Sequence, residues 1–435
     1  MQKRLASFIV LCSLFLLAAC STPTTATTPA ATATPAPKPV TLFYGTYDQA
    51  SGQEIITALD GASGKPRWTY TTSADDAIQP ALEEGVVYVA TSASLIALNA
   101  SDGKLLWSNP TFANAGIVGG ANGVLYISFF TSRSDGSLKT SLVALNASDG
   151  SMRWSYEFHN GEGTLLADGV IYGSDTLTPT GTPTSPDGST LLALNASDGS
   201  VKWQSAQESG YLTPLSVANG LLYADNSFPM GGPETIEARS ISDGSLAWKY
   251  PSDTGRATSV GMDDNTLYVS NESGTADLFL VALNASTGAI LWQVHNQPNW
   301  ETWQSFVAPQ MAFVGDGVDD SLTAFNSADG KQLWKTRLGT PSSNAAALVS
   351  VGVVTNGVVY LASPDGFTAL NASTGAIQWT AHDALTHDPG GHPILAVRAG
   401  ILYSRSDTTL VARSAQSGAV LWSQNVGLTD DPIIG

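Results

Sequence analysis

The sequence predicts an all-β fold, a β-propeller of four-stranded antiparallel blades. The first observation is the phrase Ala-Leu-Asn-Ala-Ser-Asp-Gly with a Trp a few residues later, which recurs nine times in strict or looser form. The second is Gly-aliphatic-aliphatic-Tyr, as in Gly123 to Tyr126, upstream of most copies. No helical periodicity separates them, and four short strands in every ~40–50 residues are typical of a propeller blade.

Each unit contains its elements in a fixed order. A short apolar strand leads through a Gly turn into the Tyr-bearing strand, and an Ala-Leu strand leads through an Asp-Gly turn into the Trp-bearing strand. Because a Trp side chain buries ~150–250 Å², equivalent Trp residues favour packing between blades over ligand contact. These structural Trp residues are Trp68, Trp107, Trp154, Trp203, Trp248, Trp292, Trp334, Trp379 and Trp422.

The number of blades and the closure of the ring follow from the same units. Nine repeats are counted, and eight blades are the alternative because Met311 to Gly315 replaces the Gly-Tyr phrase around Phe313. The first unit begins at its Tyr strand, Val40 to Tyr44, without an inner strand. The segment Asp430 to Gly435 resembles the missing strand, so we expect the C-terminal strand to complete the first blade and close the ring.

The Tyr strand, the Ala-Leu-Asn strand and the Gly…Trp ending resemble the PQQ-repeat family over residues 40–435. Among its members the chain is similar to the propeller lipoprotein subunit of the outer-membrane barrel-assembly machine, which implies a scaffold. The alternative is a PQQ-dependent quinoprotein dehydrogenase, whose family features are a calcium-bound PQQ, a vicinal Cys-Cys disulfide and often a haem. This chain has only Cys12 and Cys20. We therefore predict a binding protein and not an enzyme, with neither PQQ nor calcium as a cofactor.

The N-terminal residues predict export and lipid attachment. Residues 1–19 combine Lys3 and Arg4 with an apolar run from Phe8 to Leu17, and the small residues before Cys20 resemble a lipobox. An ordinary signal peptide or a single anchor helix is the alternative. Residues 20–39 form the lipidated Cys20 and a disordered Ser/Thr/Ala/Pro tether, and residues 40–435 form the propeller. The predicted location is extracytoplasmic, anchored to a bacterial membrane.

The composition limits the partners. The formal net charge of −18 disfavours nucleic acid and anionic lipid surfaces, so we expect contact with the membrane through the lipid anchor only. With Cys12 removed and Cys20 lipidated, the mature chain would contain no disulfide, and its stability must come from a core. We expect a monomeric head that binds an envelope protein, a peptide or a glycan.

Antiparallel strands divide the loops between two faces. The turn face carries the Gly turns after strand 1 and the Asn-Ala-Ser-Asp-Gly turns after strand 3, and these are uniform. The loop face carries the connections after strands 2 and 4, which vary in length and composition. Variable loops on a rigid scaffold are where binding usually lies, so the loop face is predicted to be functional.

Two segments of the loop face contain the candidate site residues. Trp300 and Trp303 lie outside the repeat pattern and are candidates for a sugar or peptide platform, or alternatively for core that caps the channel. His382, His387 and His392 are candidates for partner contact. Their spacing of five residues fits neither a helix nor a strand face, so a polar loop is favoured over a metal centre, and no metal site is predicted.

Overall fold

The repeats fold into a ring of nine four-stranded antiparallel sheets. The computed structural model describes residues 39–48, 50–72, 80–132, 138–159, 161–176, 188–227, 234–251, 257–271, 278–295, 302–316, 320–338, 350–363, 366–382, 394–406, 408–427 and 432–435. In these ranges the only helical element is one 3-10 turn, Pro110–Phe112. The all-β propeller and its nine blades are thereby confirmed, and the eight-blade alternative is wrong.

The strands follow one another blade by blade. Blades 1 to 3 contain β1 (Thr41–Asp48), β2 (Gln53–Asp60), β3 (Pro66–Thr71); β4 (Ala81–Glu83), β5 (Val86–Ala90), β6 (Leu95–Asn99), β7 (Leu105–Asn109); β8 (Gly116–Ala121), β9 (Val124–Ser132), β10 (Leu138–Asn146), β11 (Met152–Glu157). Blades 4 to 6 contain β12 (Gly161–Ala167), β13 (Val170–Thr176), β14 (Ser189–Asn195), β15 (Val201–Gln204); β16 (Tyr211–Ala218), β17 (Leu221–Ser227), β18 (Thr235–Ser240), β19 (Leu246–Pro251); β20 (Ala257–Asp263), β21 (Thr266–Asn271), β22 (Leu278–Asn284), β23 (Ile290–His295). Blades 7 to 9 contain β24 (Thr302–Ala308), β25 (Met311–Asp316), β26 (Ser321–Asn326), β27 (Gln332–Arg337); β28 (Ser350–Thr355), β29 (Val358–Ser363), β30 (Gly366–Asn371), β31 (Ile377–His382); β32 (Ile394–Arg398), β33 (Ile401–Ser406), β34 (Thr409–Ser414), β35 (Val420–Asn425).

The last strand closes the ring as predicted. β36 (Ile433–Ile434) pairs antiparallel with β1, placing Ile434 opposite Leu42 and Ile433 opposite Phe43. Blade 1 therefore consists of the C-terminal strand followed by three N-terminal strands. Blade 7, where the repeat is weakest in sequence, is a complete blade: Phe313 occupies the Tyr position, with its ring centroid 6.0 Å from that of Trp334.

One arrangement of side chains joins every blade to the next. The Trp of each blade faces the Ala of its own strand 3, as Trp154 faces Ala144, and its indole Nε1–H donates to a backbone carbonyl of the following blade. Burying the ring while satisfying its single donor makes Trp well suited to this position. The nine acceptors, starting from Trp68, are the carbonyls of Ala100, Ala147, Ala196, Ile241, Ala285, Ser327, Ala372, Ala415 and Gly61.

The Gly of each Asp-Gly turn completes this contact. Gly199, at φ +71°, lies so close to the ring of Trp154 in the preceding blade that a Cβ atom would come within 2.5 Å of Trp154 Cε3. The other eight turn glycines lie against their Trp in the same way. The Trp residues therefore pack between blades, as their equivalent positions indicate.

No helix in the described parts of the chain is long and apolar enough to span a membrane.

Candidate functional site

The polar groups of the turn face hold neighbouring blades together. The Glu84 carboxylate accepts hydrogen bonds from the backbone N–H groups of Asn122 and Gly123 in the next blade, both at 3.0 Å. Asp263 likewise accepts from the N–H of Gln310 at 2.7 Å. Burial, aided by the charges of nearby acids, raises the pKa of Tyr88 beneath these turns to about 12. These groups are therefore engaged in contacts between neighbouring blades.

The loop face, by contrast, exposes aromatic side chains. Among the described residues three aromatic side chains are exposed, namely Tyr47 (39%), Phe130 (50%) and Tyr211 (39%). Tyr47 and Phe130 lie near the loop-face ends of β1 and β9, the second strands of blades 1 and 3. Tyr211 begins β16, the inner strand of blade 5. Exposed aromatics supply large contact area with few rotatable bonds, so this face is suited to binding.

A histidine and a carboxylate meet on the loop face between blades 3 and 4. Asp175 lies on β13 with its side chain 2% exposed, and it accepts hydrogen bonds from the His159 backbone N–H at 3.0 Å and from ring Nδ1 at 2.9 Å. The His159 side chain is 75% exposed. Because Asp175 engages Nδ1, the ring orientation is fixed and Nε2 is left toward solvent.

A buried charge network lies between blades 4 and 5. Glu237 is fully buried and accepts from Arg239 at 2.7 Å and from Lys249 at 2.7 Å, while Glu208 pairs with both cations. Burial alone would raise the pKa of Glu237, but hydrogen bonds from Lys249 and Arg239 and their charges hold it below its ordinary value. In blade 2 the two residues that flank the Ala of strand 3 are aliphatic. Ile96 stands at the position of Glu237, and Leu98 stands at the position of Arg239. The network therefore interrupts the apolar packing of the repeat between blades 4 and 5.

The residues that the sequence singled out are only partly within the described regions. His382 ends β31 with an exposed side chain on the loop face. Trp303 is the second residue of β24, the inner strand of blade 7, and its side chain is outside the description. Cys20, Trp300, His387 and His392 also lie outside the described residues, so their roles stay predictions.

Sequence reasoning missed Tyr47, Phe130, Tyr211 and the His159–Asp175 pair. A signal existed for His159, because in the sequence all five histidines stand at the end of a fourth strand or in the connection after it. No such signal exists for Phe130. An aromatic residue within an apolar run such as Ile127 to Phe130 is indistinguishable from core until its strand is seen to extend past the body of the blade.

The described residues do not provide a cradle for PQQ on calcium. No group of three or more His, Cys, Asp or Glu side chains is placed to hold a metal ion in the described regions. The buried carboxylates of Glu237 and Asp175 are committed to protein cations or donors. A calcium ion needs six to eight oxygen ligands, and these residues do not supply them.

The family assignment rests on a match over nearly the whole chain. Residues 35–111, 98–281 and 276–431 match the family described as outer membrane protein assembly factor BamB. The chain belongs to this family. Its PQQ-type blades thus agree with the BamB family both in sequence and in fold. No curated protein matches the sequence.

Solved structures of other propeller proteins are similar to this BamB-family chain. The crystal structure of the eukaryotic initiation factor aligns with a TM-score of 0.63 at 11% identity, covering 91% of this chain and 98% of that one. BamB from Moraxella catarrhalis aligns with a TM-score of 0.43 at 19% identity, covering 75% and 89%. Quinohemoprotein alcohol dehydrogenase from Comamonas testosteroni gives 0.42 at 14% identity, covering 75% and 72%. The first of these structures supports the fold and not an activity, because its identity to this chain is 11%.

Proposed function

We propose that this protein is a lipid-anchored, extracytoplasmic scaffold that binds a protein, peptide or glycan partner through its loop face. The observation that carries the proposal is the placement of Tyr47, Phe130 and Tyr211, the exposed aromatic side chains of the described regions, all on that face. Membership of the BamB family agrees with a scaffold role. Lipid attachment at Cys20 would hold the scaffold at a membrane surface.

The rigidity of the ring supports binding over catalysis. Each seam is fixed by an indole hydrogen bond and a Gly–Trp contact, so the described strand ends on the loop face are held in place before binding, which lowers the loss of conformational entropy. The paired charges between blades 4 and 5 and the His159–Asp175 pair are held by the fold. No described group is placed as a nucleophile beside a base, or as a cofactor cradle.

Site-specific photo-crosslinking in native envelope tests the proposal. A photoreactive amino acid at Tyr47, Phe130 or Tyr211 should yield the same crosslinked partner from the loop face. The same group at Ser101, an exposed turn-face position, should not. Crosslinks that arise only from Ser101 would place the binding surface on the turn face and overturn the proposal.

The candidates from the sequence enter the same test. Trp300→Ala with Trp303→Ala should reduce the loop-face crosslink several-fold while leaving the thermal unfolding midpoint unchanged, because a hot-spot aromatic typically contributes ~2 kcal/mol or more to binding. A lowered midpoint with an unchanged crosslink would assign the two Trp residues to the core.

A further inference from the structure

We propose that blades 3 to 5 of the loop face form the docking site for a basic polypeptide segment that also carries apolar side chains. This inference rests on the proposed function and goes beyond it by locating the footprint and naming the chemistry of the partner. The described residues of the proposed docking site are Phe130, His159, Asp175, Glu208 and Tyr211.

Phe130 projects from the longest hairpin of the described chain. Its strands, β9 and β10, are nine residues each, whereas no other described strand exceeds eight. Residues Leu138 to Ser141 of β10 pair with Ser132 to Phe129 of β9, beyond the level at which Tyr126 packs on Trp154. Half of the Phe130 surface is exposed at this extension. An apolar side chain held at the edge of a rigid hairpin is a site for apolar groups of a partner.

Tyr211 is held in place by the segment before it. The Ser189 hydroxyl donates to the Gly210 carbonyl at 2.9 Å and accepts from the Leu212 N–H at 2.7 Å, which fixes the residues on either side of Tyr211. Glu208 and Ser189 exchange two backbone hydrogen bonds, and the Glu208 carboxylate is tied to Arg239. The charge network between blades 4 and 5 therefore positions Tyr211 before any partner binds, and preorganised contacts cost less entropy on association.

The polar groups of this sector favour a cationic partner. On the loop-face side of blades 3 to 5 and in their buried network, the described carboxylates outnumber the described cations. The carboxylates are Glu157, Asp175, Glu208, Asp225, Glu234 and Glu237, and the cations are Lys139, Arg239 and Lys249. All three cations are already in ion pairs, Lys139 with Glu157 and the other two with Glu237 and Glu208. The whole chain carries −18. Charge complementarity across an interface speeds encounter and rejects partners of the same sign, so acidic segments would be disfavoured.

His159 lies between the two aromatics around the ring, at the seam of blades 3 and 4. Its exposed Nε2 accepts a hydrogen bond when the ring is neutral and Asp175 engages Nδ1. A lysine ammonium, an arginine guanidinium or a peptide N–H offers that hydrogen. Phe130 and Tyr211 would bind apolar side chains, and His159 Nε2 between them would accept a hydrogen bond. This arrangement matches an extended segment in which cationic and apolar side chains alternate.

Fluorescence anisotropy with defined peptides tests the inference on the full-length protein. The probe is a labelled twelve-residue peptide of alternating lysine and leucine, compared with glutamate–leucine and lysine–serine peptides. We expect binding of the lysine–leucine peptide only, and weaker binding as salt is raised from about 50 mM to about 300 mM. The double variant Phe130→Ser with Tyr211→Ser should lose about tenfold or more in affinity. The control, Leu105→Ser on the rim of blade 2, should bind as the wild type does.

Four results would overturn the inference. An equal loss with Leu105→Ser would show that binding does not depend specifically on Phe130 and Tyr211, and equal binding of the glutamate–leucine peptide would refute the basic partner. Absence of binding by all three peptides, or binding of glycans that the double variant abolishes, would refute a polypeptide partner. In each case the loop-face crosslinks described above would still report separately on the proposed function.

Discussion

Replacement of the turn glycine Gly199 by alanine provides a sharp test of how the blades are held together. Gly199 has φ +71°, and a Cβ there would lie 2.5 Å from Trp154 Cε3 and 2.8 Å from Cδ2. A left-handed alanine costs about 1–2 kcal/mol, and forcing a methyl group into a packed contact costs a further ~1–3 kcal/mol. Gly199→Ala should therefore lower the free energy of unfolding by about 2–5 kcal/mol.

The same blade offers a matched control for the backbone. Gly169 has φ +74°, but a Cβ there would meet nothing within 4 Å. Gly169→Ala therefore carries the conformational cost alone, about 1–2 kcal/mol. The difference between the two variants isolates the contact of Gly199 with Trp154. Guanidinium unfolding followed by far-UV circular dichroism measures both free energies, and unchanged m-values would show that the two variants unfold as the wild type does.

A double-mutant cycle identifies the cause of that difference. Trp154→Ala alone should cost about 3–5 kcal/mol, because it leaves a cavity at the seam of blades 3 and 4. In the Trp154→Ala background the indole is gone, so Gly199→Ala should cost no more than Gly169→Ala. If Gly199→Ala and Gly169→Ala are equally destabilising in the wild-type background, the close approach of turn and indole does not stabilise the seams, and the account of blade packing fails.

Three other predictions concern the ring, the charge network and the anchor. Deleting residues 432–435 removes β36 and exposes the edge of β1, so we expect a lower unfolding midpoint and self-association in light scattering; a stable monomer would contradict this. The folded-state pKa of Glu237 lies below its ordinary value of 4.5, so its contribution to stability is complete above that pH and is lost as pH falls through the folded pKa. The stability gap between wild type and Glu237→Gln should therefore shrink between about pH 6 and about pH 3, and a constant gap would refute the role of the charge. Cys20→Ala should release the protein from membranes or stall its processing, whereas retention of a mature-sized product would exclude lipid anchoring.

The fold was readable from the sequence because each repeated residue performs a local task. Trp154 needs a small residue opposite it, a glycine from the next blade and a carbonyl acceptor, and all three lie in the repeated phrase. Phe313 shows how far that rule extends. An aromatic ring at the Tyr position is enough to complete blade 7, although the glycine of the usual phrase is missing.

The loop face was harder to read because its contacts join residues outside the repeat. Asp175 and His159 belong to neighbouring blades, and their pairing depends on how closely those blades approach. Glu208 reaches Arg239 across a similar seam from the segment that links β15 to β16. The exposure of Phe130 depends on the length of its hairpin, which hydrophobic patterning does not report. Periodicity therefore defined the loop face but could not choose the residues on it, and the functional role of that face stays a prediction.

The seam between blades 9 and 1 has a consequence for the topology of the chain. Trp422 donates to the Gly61 carbonyl as every other repeat Trp donates to its neighbour, and Thr41 and Gly435 exchange backbone hydrogen bonds of 3.0 and 2.9 Å. The discontinuity of the polypeptide thus falls inside a blade and not between two blades. A circular permutant that links residue 435 to residue 41 and opens at the turn of Asn122 and Gly123 would keep all nine seams. The N- and C-termini of the chain could then be placed in any of the nine blades.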